Sequence, residues 1–492
     1  KARMATGFLK VTPAHDPNDY DIGQRHDLEQ INVMAPDASI SPDHGWPDYD
    51  PHAGAHVFVG LSREAARQKV LDEFKARGLL EAVKPHTHAV GHSYRSHAPI
   101  EPYLSDQWYV SVTDDRLKGA ALRAMAPDQR TEASLERARS ASEGTASSPD
   151  DGTLRFTPAR YAKTFESWHD NLRDWCISRQ LWWGHRIPVW HSDNKKGDAL
   201  DDFYDNIAVK KDGSGIGVWG DLADDGRIFA FQSESPANDL FVCVRLETDD
   251  AVVEALEAAG FTQDPDVLDT WFSSALWPLS TLGWPDPQAA AADTGIDDFG
   301  SMLGAFNPTS VLTTAREIIT LWVSRMVMFN RYLLGSSPVA DGGGGGKADG
   351  GGSSDGQLPF NDVFIHAMIQ DGEGRKMSKS LGNGVDPRDI IHSHGADAMR
   401  FTLCQMTTQT QDVRLPVERD EETGRNTSPK FDLGKKFCNK LWNASRFTMM
   451  MLAESDEQLA FLEMKAERET AQGIRVEILD RSALEKIAPW LG

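Results

Sequence analysis

A strand, a glycine-flanked cationic loop and a helix follow one another between residues 362 and 401, and this succession narrows the possible folds more than any other feature. The run Asp362–Met368 reads as a strand, GEGRKMSKSLGN at 372–383 as a loop, and Pro387–Phe401 as a helix. Three cations, Arg375, Lys376 and Lys379, cluster in that loop. Lysine ammonium groups beside a departing pyrophosphate stabilise the charge that grows on it, and glycines on both sides supply the mobility that closure over a triphosphate needs. A solvated basic loop is the ordinary reading of a lone K-x-x-K pair. The full KMSKS pentamer followed by Leu-Gly-Asn is far rarer.

The remaining segments set the organisation around that loop. A chain of 492 residues has room for two to four domains. Residues 1–110 mix short β-branched runs, such as Val57-Phe58-Val59, with a helix expected from a Ser62 cap to about Gly78. Its apolar stripe Ala66, Val70 and Phe74 is expected to pack on a sheet. The polar run 128–152 reads as a surface insertion or linker. Five tryptophans, Trp168, Trp175, Trp182, Trp183 and Trp190, crowd the next segment, and a packed core is the expectation for most of them. Val311–Leu334 has helical spacing through Ile318, Leu321, Trp322, Arg325 and Met326. The glycine- and serine-rich stretch 335–356 has no core-forming capacity and lacks the G-K-[ST] of a phosphate-binding loop. Residues 430–447 read as a helix with lysines on one side.

Composition excludes some classes. No apolar run of about 18 residues could span a bilayer, and 40% hydrophobic with 25% charged residues is the balance of a soluble protein. Four cysteines without a C-x-x-C pair argue against a disulfide framework and a cysteine zinc site, which fits the cytoplasm. His15, Asp16 and Asp19 could read as a metal cluster, but no partner histidine lies at metal spacing, so no metal is expected. A turn closed by Asp16 and Asn18 is the plainer reading. The net charge of -23 would repel a polyanion unless local basic surfaces offset it. The start, Lys-Ala-Arg-Met, suggests a truncated beginning.

With KMSKS as its signature, the chain resembles class I aminoacyl-tRNA synthetases. PAHDPNDYDIGQRH (13–26), PHTHAVGH (85–92), DQWYV (106–110), RDWCISRQLWWGHRIPVW (173–190), DPDVLDTWFSSALWP (264–278), AREIITLWVSRM (315–326) and GADAMRFTL (395–403) narrow the likeness to the valine-specific branch. The isoleucine branch is the main sibling alternative. The resemblance implies an α/β fold: the second half of a Rossmann-type catalytic domain over 161–425, preceded by the C-terminal part of a β-rich editing domain over 1–110 and a linker or insertion over 111–160. The start of an α-helical anticodon-binding domain follows over 426–492.

The resemblance also implies an ATP-dependent ligation of valine to its tRNA through valyl-adenylate, with Mg2+ accompanying ATP, no zinc, no membrane and a monomeric state. Lys376 and Lys379 would be catalytic, and His366, Met377, Ser378 and Ser380 would join them around ATP. Trp271, Ile318 and Trp322 would wall the valine pocket, and Glu317, where the family more often has aspartate, would pair with the substrate ammonium. Such a pocket cannot strongly refuse threonine, which has nearly the same shape. A second, hydrolytic site is therefore implied, and Lys10, Thr12, Asp16 and Asp19 match its positions for clearing Thr-tRNA. Lys435, Lys436 and Lys440 are candidates for tRNA contact.

Parts of the family pattern are missing. No two of the 15 histidines are three residues apart, so the His-x-Gly-His signature of the nucleotide site is absent, and the expectation is that this chain alone does not form the adenylate. HSYRSH at 92–97 lacks the cysteine pairs that some members carry there. Residues 192–250 and the tail from about 455 match nothing in the pattern. A non-catalytic tRNA-binding or editing-only relative is the alternative from another functional class.

Overall fold

Val363 and Ile365 alternate with Asp362, Phe364 and His366, and in the computed structural model they point the buried side of a central strand, Phe360–His366, into the largest core. That strand lies between Thr309–Ala315 and Arg155–Thr157, parallel to both. The structure describes residues 9–93, 96–132, 153–192, 200–205, 207–209, 215–233, 239–246, 248–296, 299–335, 355–378, 381–408, 412–421, 423–450, 455–472, 482–483 and 486. They fall into two compact units, residues 1–108 and 109–492.

In the larger unit, Phe156, Leu312, Val363 and Ile365 of the sheet pack with Phe165, Ile319, Val323 and Met326. The segment 111–160, expected as linker or insertion, contributes Val112, Leu117, Ala121 and Met125 to this core and supplies the edge strand Arg155–Thr157. Its small apolar residues fit close to the helix Ser324–Leu333, a signal that the neighbouring polar run 128–152 masks in the sequence. That run and 335–356 fall largely outside the described residues. Val311–Leu334 is not one helix. Thr309–Ala315 is a strand, Arg316–Ile318 a 3-10 turn, Ile319–Val323 a π-type turn, and only Ser324–Leu333 is α-helical. Short apolar runs fit both periodicities, and pairing with the central strand decided this one.

A second core joins the stretch 192–250, which matched no pattern, to its flanks on either side. Thr262–Gln263, Val189–Ser192, Leu240–Val244 and Ile228–Gln232 form an antiparallel sheet in that order. It buries Trp190, Trp219, Val242 and Leu256. Trp175 and Trp190 are core residues and Trp168 is half-buried, in line with a packed core for most of the five, while Trp182 and Trp183 are exposed. Pro387–Phe401 is broken into Pro387–His394 and Ala396–Met406 at Gly395, whose φ of 92° favours glycine. Ala396–Met406 then packs on Lys430–Met450, where a Cβ on Gly434 would meet the Ala398 carbonyl oxygen at 2.5 Å. Asp456–Ala471 is a further helix. No helix among the described residues is long and apolar enough to cross a membrane.

In the smaller unit, Ser62 caps the helix Arg63–Ala76 by accepting from Ala65 N. Among the described residues no sheet lies beneath it, against the expectation. Among the described residues of 1–110, apart from Tyr109–Val110 of the other unit, only isolated bridges occur: Met34 with Ile40, Ser39 with Ser62, and His92 with Pro99. Val57-Phe58 belongs to a 3-10 turn, Gly54–Phe58. Val70 and Phe74 are exposed, because an apolar stripe is buried only where a second layer faces it.

Candidate active site

Ala315 and His366 are register partners at the carboxyl ends of two parallel strands, where open α/β sheets bind their ligands. Past Ala315 the chain tightens into the 3-10 turn that carries Glu317 and Ile318. Lys376 Nζ lies 3.5 Å from Glu317 Oε2, both side chains exposed. Two candidates 59 residues apart thus meet at the end of the sheet. His366 sits on the same edge, its ring exposed and its Nδ1 3.0 Å from the Ala367 carbonyl oxygen. Arg316 reaches Asp412 at 2.9 Å, and Asp412 also accepts from Met368 N and Gln370 Nε2, tying the start of the loop to the strand Val413–Leu415.

The loop is organised by Asp371, a buried carboxylate that the sequence reading passed over. Its Oδ1 accepts from Glu373 N at 3.0 Å and Arg375 N at 2.8 Å, and its Oδ2 accepts from Arg375 Nε at 2.8 Å and Asn383 Nδ2 at 2.9 Å. The Asn383 amide, with the Arg375 backbone and guanidinium, holds the Asp371 carboxyl far below the usual carboxylate range. Asn383 Oδ1 in turn accepts from Ser378 N at 2.9 Å, so one aspartate and one asparagine close the segment from both ends. Asn426 donates to the Gly382 and Gly384 carbonyls at 2.8 Å each. Met377 packs against the small cluster of Ile390, Leu415 and Phe431. Arg375 is therefore a structural member of the knot, and of the two described loop cations Lys376 is the one that faces Glu317. Lys379 and Ser380 lie outside the described residues.

Trp271 and Trp322 are partly buried against the main core on two elements that touch. Trp322 Nε1 donates to the Ser274 carbonyl at 3.0 Å, on the helix Thr270–Ala275 that carries Trp271. Ile318 does not share an α-helical face with Trp322, since Ile318 ends a 3-10 turn and Trp322 lies in the π-type turn that follows. A cleft of about 440 Å³ opens nearby, lined by Trp168, Trp175, Thr320, Ser324 and Arg325 among others, and neither Trp271 nor Trp322 lines it.

The other candidate set lies in the smaller unit. Asp16 caps the helix Pro17–His26 by accepting from Asn18 N and Asp19 N, with Pro17 at its first position. Asp19 Oδ2 accepts from Thr12 N at 2.8 Å and Thr12 Oγ1 at 3.2 Å, and Lys10 Nζ donates to Thr12 Oγ1 at 3.1 Å. Lys10, Thr12 and Asp19 form one chain of contacts, with Asp16 at the root of the same turn. His15 is used otherwise. Its Nε2 accepts from Val33 N at 3.1 Å and its Nδ1 faces the Pro102 carbonyl at 3.3 Å, which makes it a strut between three segments.

A family model for tRNA synthetases class I (I, L, M and V) matches residues 18–416. The chain belongs to that family. Among curated relatives it is 37% identical over 504 residues to the valine–tRNA ligase of Rhodopirellula baltica, covering 92% of this chain and 40% of that protein. Against the valine–tRNA ligase of Listeria monocytogenes it is 37% identical over 449 residues, covering 91% and 36%, and against that of Thermotoga maritima 36% over 458 residues, covering 92% and 38%. The chain thus spans less than half the length of these relatives. A solved ternary complex from Agrobacterium radiobacter K84, LeuRS-tRNA-LeuAMS, overlaps 55% of this chain and 28% of that one at 21% identity and a TM-score of 0.30, too slight an overlap to bear on the fold. The KMSKS run at 376–380 lies between Asp371 and Asn383, the two side chains of that knot. The Asn of Leu-Gly-Asn was the available signal for that knot, since a loop asparagine three residues past the pentamer is well placed to fasten it.

Proposed function

We propose that this chain is the valine-selecting and proofreading part of a valine–tRNA ligase. The observation that carries the reading is the meeting of Glu317 and Lys376 at the carboxyl ends of the parallel strands, beside the paired elements of Trp271 and Trp322. In the reaction, the valine carboxylate attacks the α-phosphorus of ATP and pyrophosphate leaves with its Mg2+, giving valyl-adenylate; the terminal ribose hydroxyl of tRNA then takes the valyl group. Glu317 accepts the valine ammonium, and Trp271, Ile318 and Trp322 limit the side chain by size. That ammonium competes with Lys376 for Glu317, so arrival of valine frees Lys376 to face the pyrophosphate. Lys376 and Lys379 stabilise the charge on the leaving group, with His366, Met377, Ser378 and Ser380 around the nucleotide.

Residues 1–110 are read as the C-terminal part of the editing domain, where Asp16 and Asp19, with Lys10 and Thr12, engage the ammonium or hydroxyl of a mischarged threonine and hold the attacking water. Residues 426–492 begin the anticodon-binding domain, and Lys435, Lys436 and Lys440 offer local positive charge to tRNA against the acidic whole. The test is valine-dependent ATP–pyrophosphate exchange together with deacylation of Thr-tRNA and Val-tRNA, run on this chain and on the full-length protein. Exchange with valine in the full-length protein and selective clearance of Thr-tRNA support the reading. Exchange with isoleucine, or with no amino acid, overturns it.

A further inference from the structure

The two tryptophan walls are not joined only to each other. Asp269, buried at the head of the helix that carries Trp271, accepts from Trp271 N with Oδ1 at 3.1 Å. Its Oδ2 accepts from Trp175 Nε1 at 3.0 Å and from an Arg179 guanidinium nitrogen at 2.6 Å. On the other wall, Arg325 donates to the Leu321 carbonyl at 2.7 Å, next to Trp322, and its guanidinium lies 4.0 Å from the centre of the Trp175 ring. Trp175 therefore touches the anchor of each wall, one through its Nε1 and one through its π face. It is also 94 residues from Asp269, on a strand that pairs with Tyr109–Val110.

The chemistry of the three groups makes this a stiff joint. A buried carboxylate keeps its place only while its donors hold it, and Asp269 has three from three different segments. Burial pushes the Arg325 guanidinium down to about 10, so stacking on an indole is a suitable way to hold a cation there that makes no direct ion pair at short range with Asp269. Phe272 and Phe329 flank the indole, each with its ring centre 6.1 Å from that of Trp175, which limits the ring's own freedom.

We propose that Trp175 is a positioning residue for amino-acid selection, a shared strut that fixes the separation of the Trp271 and Trp322 walls. The proposal rests on the valine-pocket reading of those two tryptophans. Trp175→Phe keeps the ring under Arg325 and removes the Nε1 donor to Asp269; Arg325→Lys keeps the charge and removes the planar stack. In the full-length protein, each variant is expected to raise the KM for valine about tenfold and to lower the preference for valine over isoleucine, because a pocket wall with play tolerates an extra methylene. The KM for ATP and kcat stay within about twofold, since the contacts of Trp175 and Arg325 run to Asp269, Leu321, Phe272 and Phe329. A lowered Tm with unchanged valine KM and unchanged valine-to-isoleucine preference in both variants overturns the proposal and leaves Trp175 a core residue only. The unmodified protein separates the two ideas: if it exchanges with valine the pocket reading stands whatever the variants do, and if it does not, that reading fails first.

Discussion

In residues 109–492 Glu317 and Lys376 meet at the end of a parallel sheet whose other residues bury Val363, Ile365 and Leu312, whereas in residues 9–108 Asp16 and Asp19 sit on the first turn of a helix in a unit where, among the described hydrophobic residues, only Ala14, Met34 and Ala66 are buried. The first set inherits its position from a backbone fixed by packing. The second is placed by hydrogen bonds within ten residues of chain, from Lys10 through Thr12 to Asp19. A site on strand ends can lose a surface contact and keep its geometry; a site held by a turn loses geometry with the contact. Removing groups from each side therefore ought to give different kinds of damage.

The largest effect is expected from Lys376→Ala in the full-length protein. Loss of a cation beside the leaving pyrophosphate lowers kcat for exchange by about 10²–10³, with Tm unchanged because the side chain is exposed. Equal kcat would remove Lys376 from the chemistry.

Acid should next separate the two units. His169 is fully buried, its Nδ1 2.8 Å from the Phe165 carbonyl and its Nε2 3.0 Å from Ser324 Oγ, and burial outweighs the Phe165 bond to push it down to about 4. The unfolded chain takes up the proton first as pH falls. Stability from the neutral ring is thus intact above about 6.5 and lost on the way down to about 4, to the extent of roughly 3 kcal/mol. Unfolding of residues 109–492 followed between these pH values should show that slope, and His169→Gln should flatten it. A slope unchanged by the substitution would assign the acid sensitivity elsewhere.

Asp19→Ala should cost about tenfold in Thr-tRNA deacylation, because Thr12 loses the acceptor of both its N–H and its hydroxyl, while exchange with valine stays as it was. Loss of both activities together would mean that the two candidate sets are not independent. The smallest effect is expected at Phe74, which is 46% exposed: Phe74→Ser should shift unfolding by no more than about 0.5 kcal/mol. A large loss of stability would reveal a partner for the apolar stripe of Arg63–Ala76.

How far the sequence could be read follows the same division. The strand before the loop, the cap at Ser62 and the turn at Asp16 were legible because their signals are local: a period of two, a hydroxyl three residues before an amide, an aspartate ahead of a proline. Helical spacing through Ile318–Met326 falls on a 3-10 turn, a π-type turn and the start of the helix Ser324–Leu333, but it gives no sign that the chain just before it is a strand, because a buried strand and a buried helix have the same apolar content over a few residues and only the parallel register with Phe360–His366 separates them. Trp182 and Trp183 look like Trp175 and Trp190 in composition, yet they stand outside, since hydrophobicity says what burial is worth and not where a facing layer exists.

The sequence by itself determined the family, through a pentamer and a series of motifs spread along most of the chain, and it determined the short-range turns that present Asp16 and Asp19. Tertiary structure alone decided that Glu317 meets Lys376, that Asp371 and Asn383 close the loop, and that Trp175 stands between Asp269 and Arg325. The physical reason is range: capping and turn chemistry act over two to four residues and leave a pattern in the sequence, while a carboxylate 94 residues from its indole partner leaves none until the sheet and its core bring the two together.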